Sequence, residues 1–121
     1  MQTPDNLFKK ALAWGEVQIG LWQALADPYA AELCAGSGFD WLLIDGEHGP
    51  NSIPTMLTQA QTIGSSTNVV VRIPVGETHL VKQVLDLGIQ TVMVPMIETA
   101  VHAEQMARAM KYPPEGVRGL G

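Results

Sequence analysis

The stretch FDWLLIDGEHGP, residues 39–50, places a nearly continuous apolar run directly before a polar loop. An apolar run of this kind is typical of a strand covered on both faces, as in a parallel sheet. Other strand-like runs begin near residues 17, 68 and 91, and segments with apolar residues at helical spacing separate them. The sequence therefore predicts a helix over residues 5–14 followed by four βα units with right-handed crossovers.

Two α/β architectures fit four βα units: an open doubly wound sheet, and the first half of a parallel (β/α) barrel of TIM type. A complete barrel needs about 250 residues, so the 121 residues of this chain can form only half of one. Strand order separates the two architectures, because a barrel has sequential neighbours whereas a doubly wound sheet reverses at a switch point. No linker interrupts the chain, and we predict one domain without internal boundary over residues 1–121.

Composition narrows the classes of function. Seven Lys and Arg against twelve Asp and Glu give a net charge of −5, and the basic residues are scattered, so nucleic-acid binding is not expected. No apolar run approaches the roughly 18 residues that cross a bilayer, and residues 1–10 lack the apolar core of a signal peptide. The single cysteine, Cys34, lies in an apolar helical run and is interpreted as a buried small hydrophobe. We expect a cytoplasmic protein without a membrane partner.

Polar side chains follow each predicted strand, at the edge where the active sites of both architectures lie. Histidine side chains as a class titrate near neutrality, and His48 has two carboxylates within three residues, which favours a role in proton transfer over a place in a solvated turn. Arg72 ends a valine-rich strand, where a guanidinium must meet a negative charge. That charge is either an anionic ligand or, as the alternative, an acidic side chain in a structural salt bridge. No lysine lies near a strand end, which disfavours a Schiff-base mechanism. The residues predicted to meet at this edge are Trp22, Gln23, Asp45, Glu47, His48, Arg72 and Glu98.

Longer motifs contain most of these residues. They are QIGLW at 18–22, AGSGFDWLLIDGEH at 35–48, VVR at 70–72 with Pro74 beyond it, VMVPM at 92–96 and YPPEGVRGLG at 112–121. In their order, and in a span that runs almost from end to end of the chain, they resemble the HpcH/HpaI aldolase family. That family includes 4-hydroxy-2-oxoheptanedioate aldolase and 2-keto-3-deoxy sugar-acid aldolases.

The resemblance implies a class II aldolase, which reversibly cleaves a 4-hydroxy-2-oxo acid to pyruvate and an aldehyde. In the family a divalent metal ion, Mg²⁺, Mn²⁺ or Co²⁺, acts as Lewis acid and template. Its carboxylate ligands come from the fifth and sixth strands, so we expect them beyond residue 121. The chain as given would then be the N-terminal half of one barrel domain and inactive alone. The partners expected are the 2-oxo acid, the aldehyde and further copies of the chain in a homo-oligomer.

The resemblance also assigns roles to single residues. His48 corresponds to the acid/base histidine, and Arg72 to the arginine that holds the keto and enolate oxygen. Asp45 orients the site, and Asp86 corresponds to an aspartate that pairs with the histidine, across a subunit interface. A non-catalytic (βα)4 binding or interaction module of doubly wound type stays open as an alternative. The residues expected to bind substrate are Trp22, Glu47 and Arg72.

Overall fold

The computed structural model describes residues 4–121, in which a helix precedes four βα units as predicted. The elements in chain order are α1 (Leu7–Ala13), β1 (Gly20–Gln23), α2 (Pro28–Ala35), β2 (Trp41–Asp45), α3 (Ile53–Ile63), β3 (Asn68–Arg72), α4 (Thr78–Asp86), β4 (Thr91–Met93) and α5 (Ala100–Ala109). Helix α2 begins where the Asp27-Pro28 pair predicts, because the Asp27 carboxylate accepts a hydrogen bond of 2.8 Å from the Ala30 N–H.

The four strands form one parallel sheet in the order β1-β2-β3-β4. Each strand pairs with its neighbour in sequence, so no switch point exists within residues 4–121. The predicted fold class, the first four βα units of a TIM-type barrel, is confirmed, and the doubly wound alternative is wrong.

The first strand begins at Gly20 rather than near residue 17. Ile19 precedes the sheet and is tied instead to Asp40, whose carboxylate accepts from the Ile19 N–H at 2.8 Å and whose own N–H donates to the Ile19 carbonyl at 2.8 Å. Val17 is 84% exposed, because no neighbouring strand pairs with this segment. The predicted strand therefore began three residues too early, because the apolar residues before Gly20 lie outside the sheet.

The core lies between one face of the sheet and the helices. Leu42, Ile44 and Val71 belong to the buried cluster, together with side chains from the helices such as Met56 of α3 and Val84 of α4. Successive residues of a strand point to opposite faces. The other face of the sheet, the face that lines the inside of a barrel, therefore carries Trp22, Leu43, Asp45, Val70 and Arg72.

Helix α1 packs against the edge at which the strands begin. The Phe8 and Trp41 rings lie 5.8 Å apart, and Asn6 donates to the Thr91 hydroxyl at 3.0 Å while capping α1 through the Lys9 N–H. The opposite edge, where the strands end, is formed by the loops that follow them. Between residues 4 and 121 no helix is long and apolar enough to span a membrane.

Candidate active site

Asp45 ends β2 on the barrel-side face and is 4% exposed. Its partner in the sheet register is Arg72, the last residue of β3. The Oδ1 atom of Asp45 accepts from the backbone N–H groups of Glu47 at 3.0 Å and His48 at 3.3 Å. One carboxylate therefore fixes both the neighbouring strand end and the loop that follows its own strand.

Arg72 binds two carboxylates at once. Its Nε and Nη2 donate to Oδ1 and Oδ2 of Asp45 at 2.8 and 2.7 Å, a bidentate pair. Its Nη1 lies 2.7 Å from Oε2 of Glu47. The guanidinium carbon lies 4.5 Å from the centre of the Trp22 ring, so the indole covers one face of the charge. We refer to Trp22, Asp45, Glu47 and Arg72 as the Arg72 cluster.

The electrostatics of the cluster keep both partners of the bidentate pair charged. The hydrogen bonds from Arg72 lower the pKa of Asp45 from its usual 3.8 to about 2. The N–H groups of Glu47 and His48 act in the same direction, while burial opposes them. The hydrogen bond to Asp45 likewise raises the pKa of Arg72. The site therefore holds a permanent cation flanked by two acids.

The loop from Gly46 to Asn51 carries Glu47 and His48 above this pair. A Cβ atom at Gly46 would lie 2.7 Å from the Arg72 carbonyl oxygen, and one at Gly49 would lie 2.5 Å from the Asp45 carbonyl oxygen. Both glycines are therefore required for close approach of the backbone. The His48 side chain is 76% exposed, and its Nε2 lies 4.0 Å from Oε2 of Glu47. The histidine thus projects from a loop whose two ends are tightly packed.

Asn51 and Gln59 hold the loop in place through hydrogen bonds, and sequence reasoning did not identify them as part of the site. Asn51 donates to the Asp45 carbonyl at 2.8 Å and accepts from the amide of Gln59 at 2.6 Å. Ser52, which follows Asn51, is the N-cap of α3. One signal was present in the sequence: Gln59 lies three residues after Met56 and four before Ile63, on the buried face of α3.

Gln23 follows Trp22 on β1 but faces the opposite side of the sheet. It is 7% exposed, and within residues 4–121 neither its amide nitrogen nor its amide oxygen has a hydrogen-bond partner. Glu98 lies on an exposed loop before α5. Of the residues predicted at this edge, the structure brings Trp22, Asp45, Glu47 and Arg72 into contact and places His48 next to Glu47.

Asp86 lies elsewhere. It ends α4, which runs back from the end of β3, and so lies at the edge of the sheet where the strands begin. Its Oδ1 accepts from Nη2 of Arg118 at 2.6 Å, and the guanidinium carbon of Arg118 lies 4.8 Å from the centre of the Tyr112 ring. We refer to Asp86, Tyr112 and Arg118 as the Arg118 cluster. Within one chain, Asp86 and His48 are at opposite ends of the sheet.

A metal ion has no complete set of ligands in the described part of the chain. Residues 4–121 contain no group of three or more His, Cys, Asp or Glu side chains that could hold one. The carboxylates of Asp45 and Glu47 are both engaged by Arg72. The residues present therefore do not form a metal site by themselves. What they offer chemically is a fixed guanidinium beside an accessible imidazole.

Comparison with known proteins gives a consistent assignment. The family model HpcH/HpaI aldolase/citrate lyase matches residues 18–120. The chain is 59% identical over 118 residues to a hydroxypyruvate/pyruvate aldolase of Deinococcus radiodurans, covering 97% of this chain and 43% of that protein. It is 54% identical over 123 residues to a 4-hydroxy-2-oxovalerate aldolase of Rhodococcus jostii, covering 100% of this chain and 48% of that protein.

A solved structure agrees with these sequence matches. An HpcH/HpaI aldolase/citrate lyase family protein from Burkholderia cenocepacia superposes with a TM-score of 0.92 at 38% identity, over 97% of this chain and 49% of that chain. The chain thus spans about half the length of the relatives that it matches. With the family model matching 18–120, the predicted resemblance is confirmed, and the chain belongs to the HpcH/HpaI aldolase/citrate lyase family.

Proposed function

We propose that the complete protein containing this chain is a carbon–carbon lyase that reversibly cleaves a 4-hydroxy-2-oxo acid to pyruvate and an aldehyde. Membership of an aldolase family supports the reaction class. The names of two relatives, hydroxypyruvate/pyruvate aldolase and 4-hydroxy-2-oxovalerate aldolase, support a short 2-oxo acid as substrate. The activity is assigned to the complete protein, because the chain spans about half the length of those relatives.

The observation that carries the proposal is the guanidinium of Arg72 at the end of β3. A guanidinium has five N–H donors, and contacts with the two carboxylates engage each of its three nitrogens once. Two N–H bonds remain for a substrate oxygen while Glu47 is in place, and a third becomes available if Glu47 leaves. When the C3–C4 bond breaks, its electron pair enters the enolate of pyruvate, and negative charge develops on the C2 oxygen. A donor already held in place stabilises that charge without reorganising.

His48 would move the proton. The cleavage requires removal of the proton from the C4 hydroxyl while the C3–C4 bond breaks, and a histidine is suited to this near neutral pH. Its side chain is accessible at 76% exposure and lies beside the Arg72 cluster. Asp45 would orient both groups, since the same carboxylate binds Arg72 and accepts from the His48 N–H. Trp22 and Glu47 would border the bound 2-oxo acid.

Asp86 would act on a neighbouring copy. Its side chain is 46% exposed, so a second subunit can reach its carboxylate. We propose that it pairs there with His48 of another copy in a homo-oligomer. An aspartate in this position would hold the imidazole in one tautomer and stabilise its protonated form, as in other His–Asp pairs.

The complete protein would also use a divalent ion, Mg²⁺, Mn²⁺ or Co²⁺. Its ligands would come from outside residues 4–121, because those residues hold no metal site.

A cytoplasmic location stays a prediction.

Assay of pyruvate release from 4-hydroxy-2-oxovalerate by the complete protein, with MnCl2 present, tests the proposal. The expected result is metal-dependent release in the parent protein and a loss of at least about a hundredfold in Arg72→Lys, because an ammonium cannot reproduce the bidentate geometry. Arg108→Lys, at an exposed position of α5, is the matched control and should keep the parent rate. Unchanged release by Arg72→Lys would contradict the proposed role of the guanidinium.

A further inference from the structure

The two carboxylates that bind Arg72 are held very differently. Asp45 is 4% exposed and receives four hydrogen bonds, two from Arg72 and two from backbone N–H groups. Glu47 makes one short contact between its carboxylate and the rest of residues 4–121, the 2.7 Å ion pair with Nη1 of Arg72, and its side chain is 18% exposed. Asp45 is therefore fixed, whereas Glu47 can leave Arg72 by rotating its own side chain.

The charges of the cluster oppose an anionic ligand. Asp45 and Glu47 each carry −1 and Arg72 carries +1, so the three side chains sum to −1 at neutral pH. A 2-oxo acid brings a further negative charge to the same guanidinium. Like charges a few ångströms apart repel, and the repulsion increases as water is excluded. Binding is therefore favoured if one of the two carboxylates moves away or gains a new cationic partner.

His48 lies close enough to Glu47 to become that partner. Its Nε2 lies 4.0 Å from Oε2 of Glu47, the same oxygen that contacts Arg72. One carboxylate oxygen thus stands between two nitrogen groups, one permanently charged and one that becomes charged on protonation. The backbone beneath is tightly packed at Gly46 and Gly49, so a change of partner requires movement of the Glu47 side chain and not of the loop. The charged groups facing Glu47 are Arg72 with its bound Asp45, and His48.

We propose that Glu47 is a positioning residue with an exchangeable contact: it aligns Nη1 of Arg72 before pyruvate binds and turns to protonated His48 when an oxygen of bound pyruvate takes that nitrogen. Protonated His48 is the form that can donate to the aldehyde oxygen in the addition direction, whereas cleavage requires the neutral form. The inference rests on the proposed function, and it adds a link between the residue that binds the enolate and the residue that moves the proton. Glu47 acts through Arg72 and His48 rather than on the reacting carbon atoms. Pyruvate binding and protonation of His48 are coupled as a result.

Calorimetric titration of the complete protein with sodium pyruvate, at fixed pH and fixed MgCl2, measures the competition directly. Glu47→Gln keeps the shape and removes the charge, and it should bind pyruvate roughly fivefold more tightly, the equivalent of about 1 kcal/mol of relieved repulsion. Glu47→Ala should shift affinity in the same direction. Glu47→Asp keeps the charge and should stay within about twofold of the parent. Glu32→Gln, at an exposed position of α2, is the isosteric control and should not change the affinity.

A double-mutant cycle tests the role of His48. His48→Gln should weaken pyruvate binding when Glu47 is present and should have little effect in the Glu47→Gln background, because the partner that the histidine receives is gone. The same titrations in buffers of different ionisation enthalpy should show proton uptake on binding in the parent, reduced in both single variants. Unchanged or weaker binding by Glu47→Gln, or equal effects of His48→Gln in both backgrounds, would overturn the inference. Absence of pyruvate binding by the parent would instead overturn the proposed function on which it rests.

Discussion

Two arginines of this chain are built into the structure in nearly the same way. The Arg72 and Arg118 side chains are 16% and 15% exposed, each stacks on an aromatic ring at 4.5 or 4.8 Å, and each donates to an aspartate at 2.7 or 2.6 Å. The difference lies in the acids. The Asp45 side chain is 6% exposed and the Asp86 side chain is 46% exposed.

The number of contacts also differs. All three nitrogens of Arg72 meet carboxylate oxygens. Nη2 of Arg118 meets one, and the buried Nε of Arg118 has no hydrogen-bond partner among residues 4–121. An arginine–aspartate pair alone therefore does not mark a site. What distinguishes the Arg72 cluster is a cation bound by two acids, one of them buried, at the ends of parallel strands, with a histidine beside it.

The largest expected effect concerns both clusters together. The isolated chain of residues 1–121 contains both, yet we expect no pyruvate release from it with MnCl2 present, because residues 4–121 hold no metal site. Strands β1 and β4 are also unpaired edges of the sheet, which favour pairing with a second copy or aggregation. Light scattering and the release assay check this. A monodisperse monomer with metal-dependent activity would show that the Arg72 cluster suffices.

Replacement of His48 and of Asp86 tests whether residues near the two clusters act in the same reaction. In the complete protein His48→Ala should lower kcat/KM for cleavage by roughly 10²–10⁴-fold, the usual contribution of a general acid or base. Asp86→Asn should lower it less and should shift the pH profile of cleavage, if Asp86 serves His48 of a neighbouring copy. Steady-state kinetics across pH measure both effects. Near-normal cleavage by His48→Ala would mean that the histidine is not the acid/base group.

Stability should separate the two arginines. Arg72→Met removes the cation and leaves the buried Asp45 carboxylate without it, which should lower the free energy of unfolding by about 3–5 kcal/mol. Arg118→Met leaves Asp86 half-exposed and hydrated, so its cost should be about 1 kcal/mol or less. Urea unfolding of the complete protein followed by circular dichroism gives both values. Equal losses would mean that burial of the acid does not decide the energetics.

Acid titration should show a smaller effect, which concerns the Asp45 carboxylate of the Arg72 cluster. Because the folded-state pKa of Asp45 is lowered from 3.8 to about 2, its pairing contributes stability above the unfolded value, and that stability is lost as pH falls through about 2. The contribution is about 2 kcal/mol. The loss of unfolding free energy between pH 5 and pH 2 should therefore be smaller in Asp45→Asn than in the parent.

Most of the fold follows from the sequence, because periodicity and chain direction determine it. Alternation of strand and helix patterns predicts four βα units, and the ends of neighbouring parallel strands meet at one edge. Asp45 and Arg72, although 27 residues apart, could therefore be predicted to lie close together. The identity of the family came from motifs rather than from periodicity, and the match over residues 18–120 confirms it.

The details of the site did not follow, because they depend on the path of a loop and on side-chain rotamers. Whether Glu47 contacts Arg72, His48 or solvent is decided by the loop from Gly46 to Asn51. Asn51, at the end of that loop, donates to the Asp45 carbonyl. The pairing of Asp86 with Arg118, 32 residues away, depends on how the segment after α5 packs against α4. No local pattern encodes such contacts.

Exchange of the methyl protons of pyruvate in deuterium oxide isolates enolate formation from cleavage, and it tests the central claim that Arg72 stabilises the enolate. Proton NMR of the complete protein with pyruvate and MgCl2 follows the exchange directly. Exchange should fall by roughly a hundredfold or more in Arg72→Ala, since one fixed donor contributes about 2.7–4 kcal/mol, and by less than about twofold in the Arg108→Ala control. Exchange by Arg72→Ala at the parent rate would contradict the account.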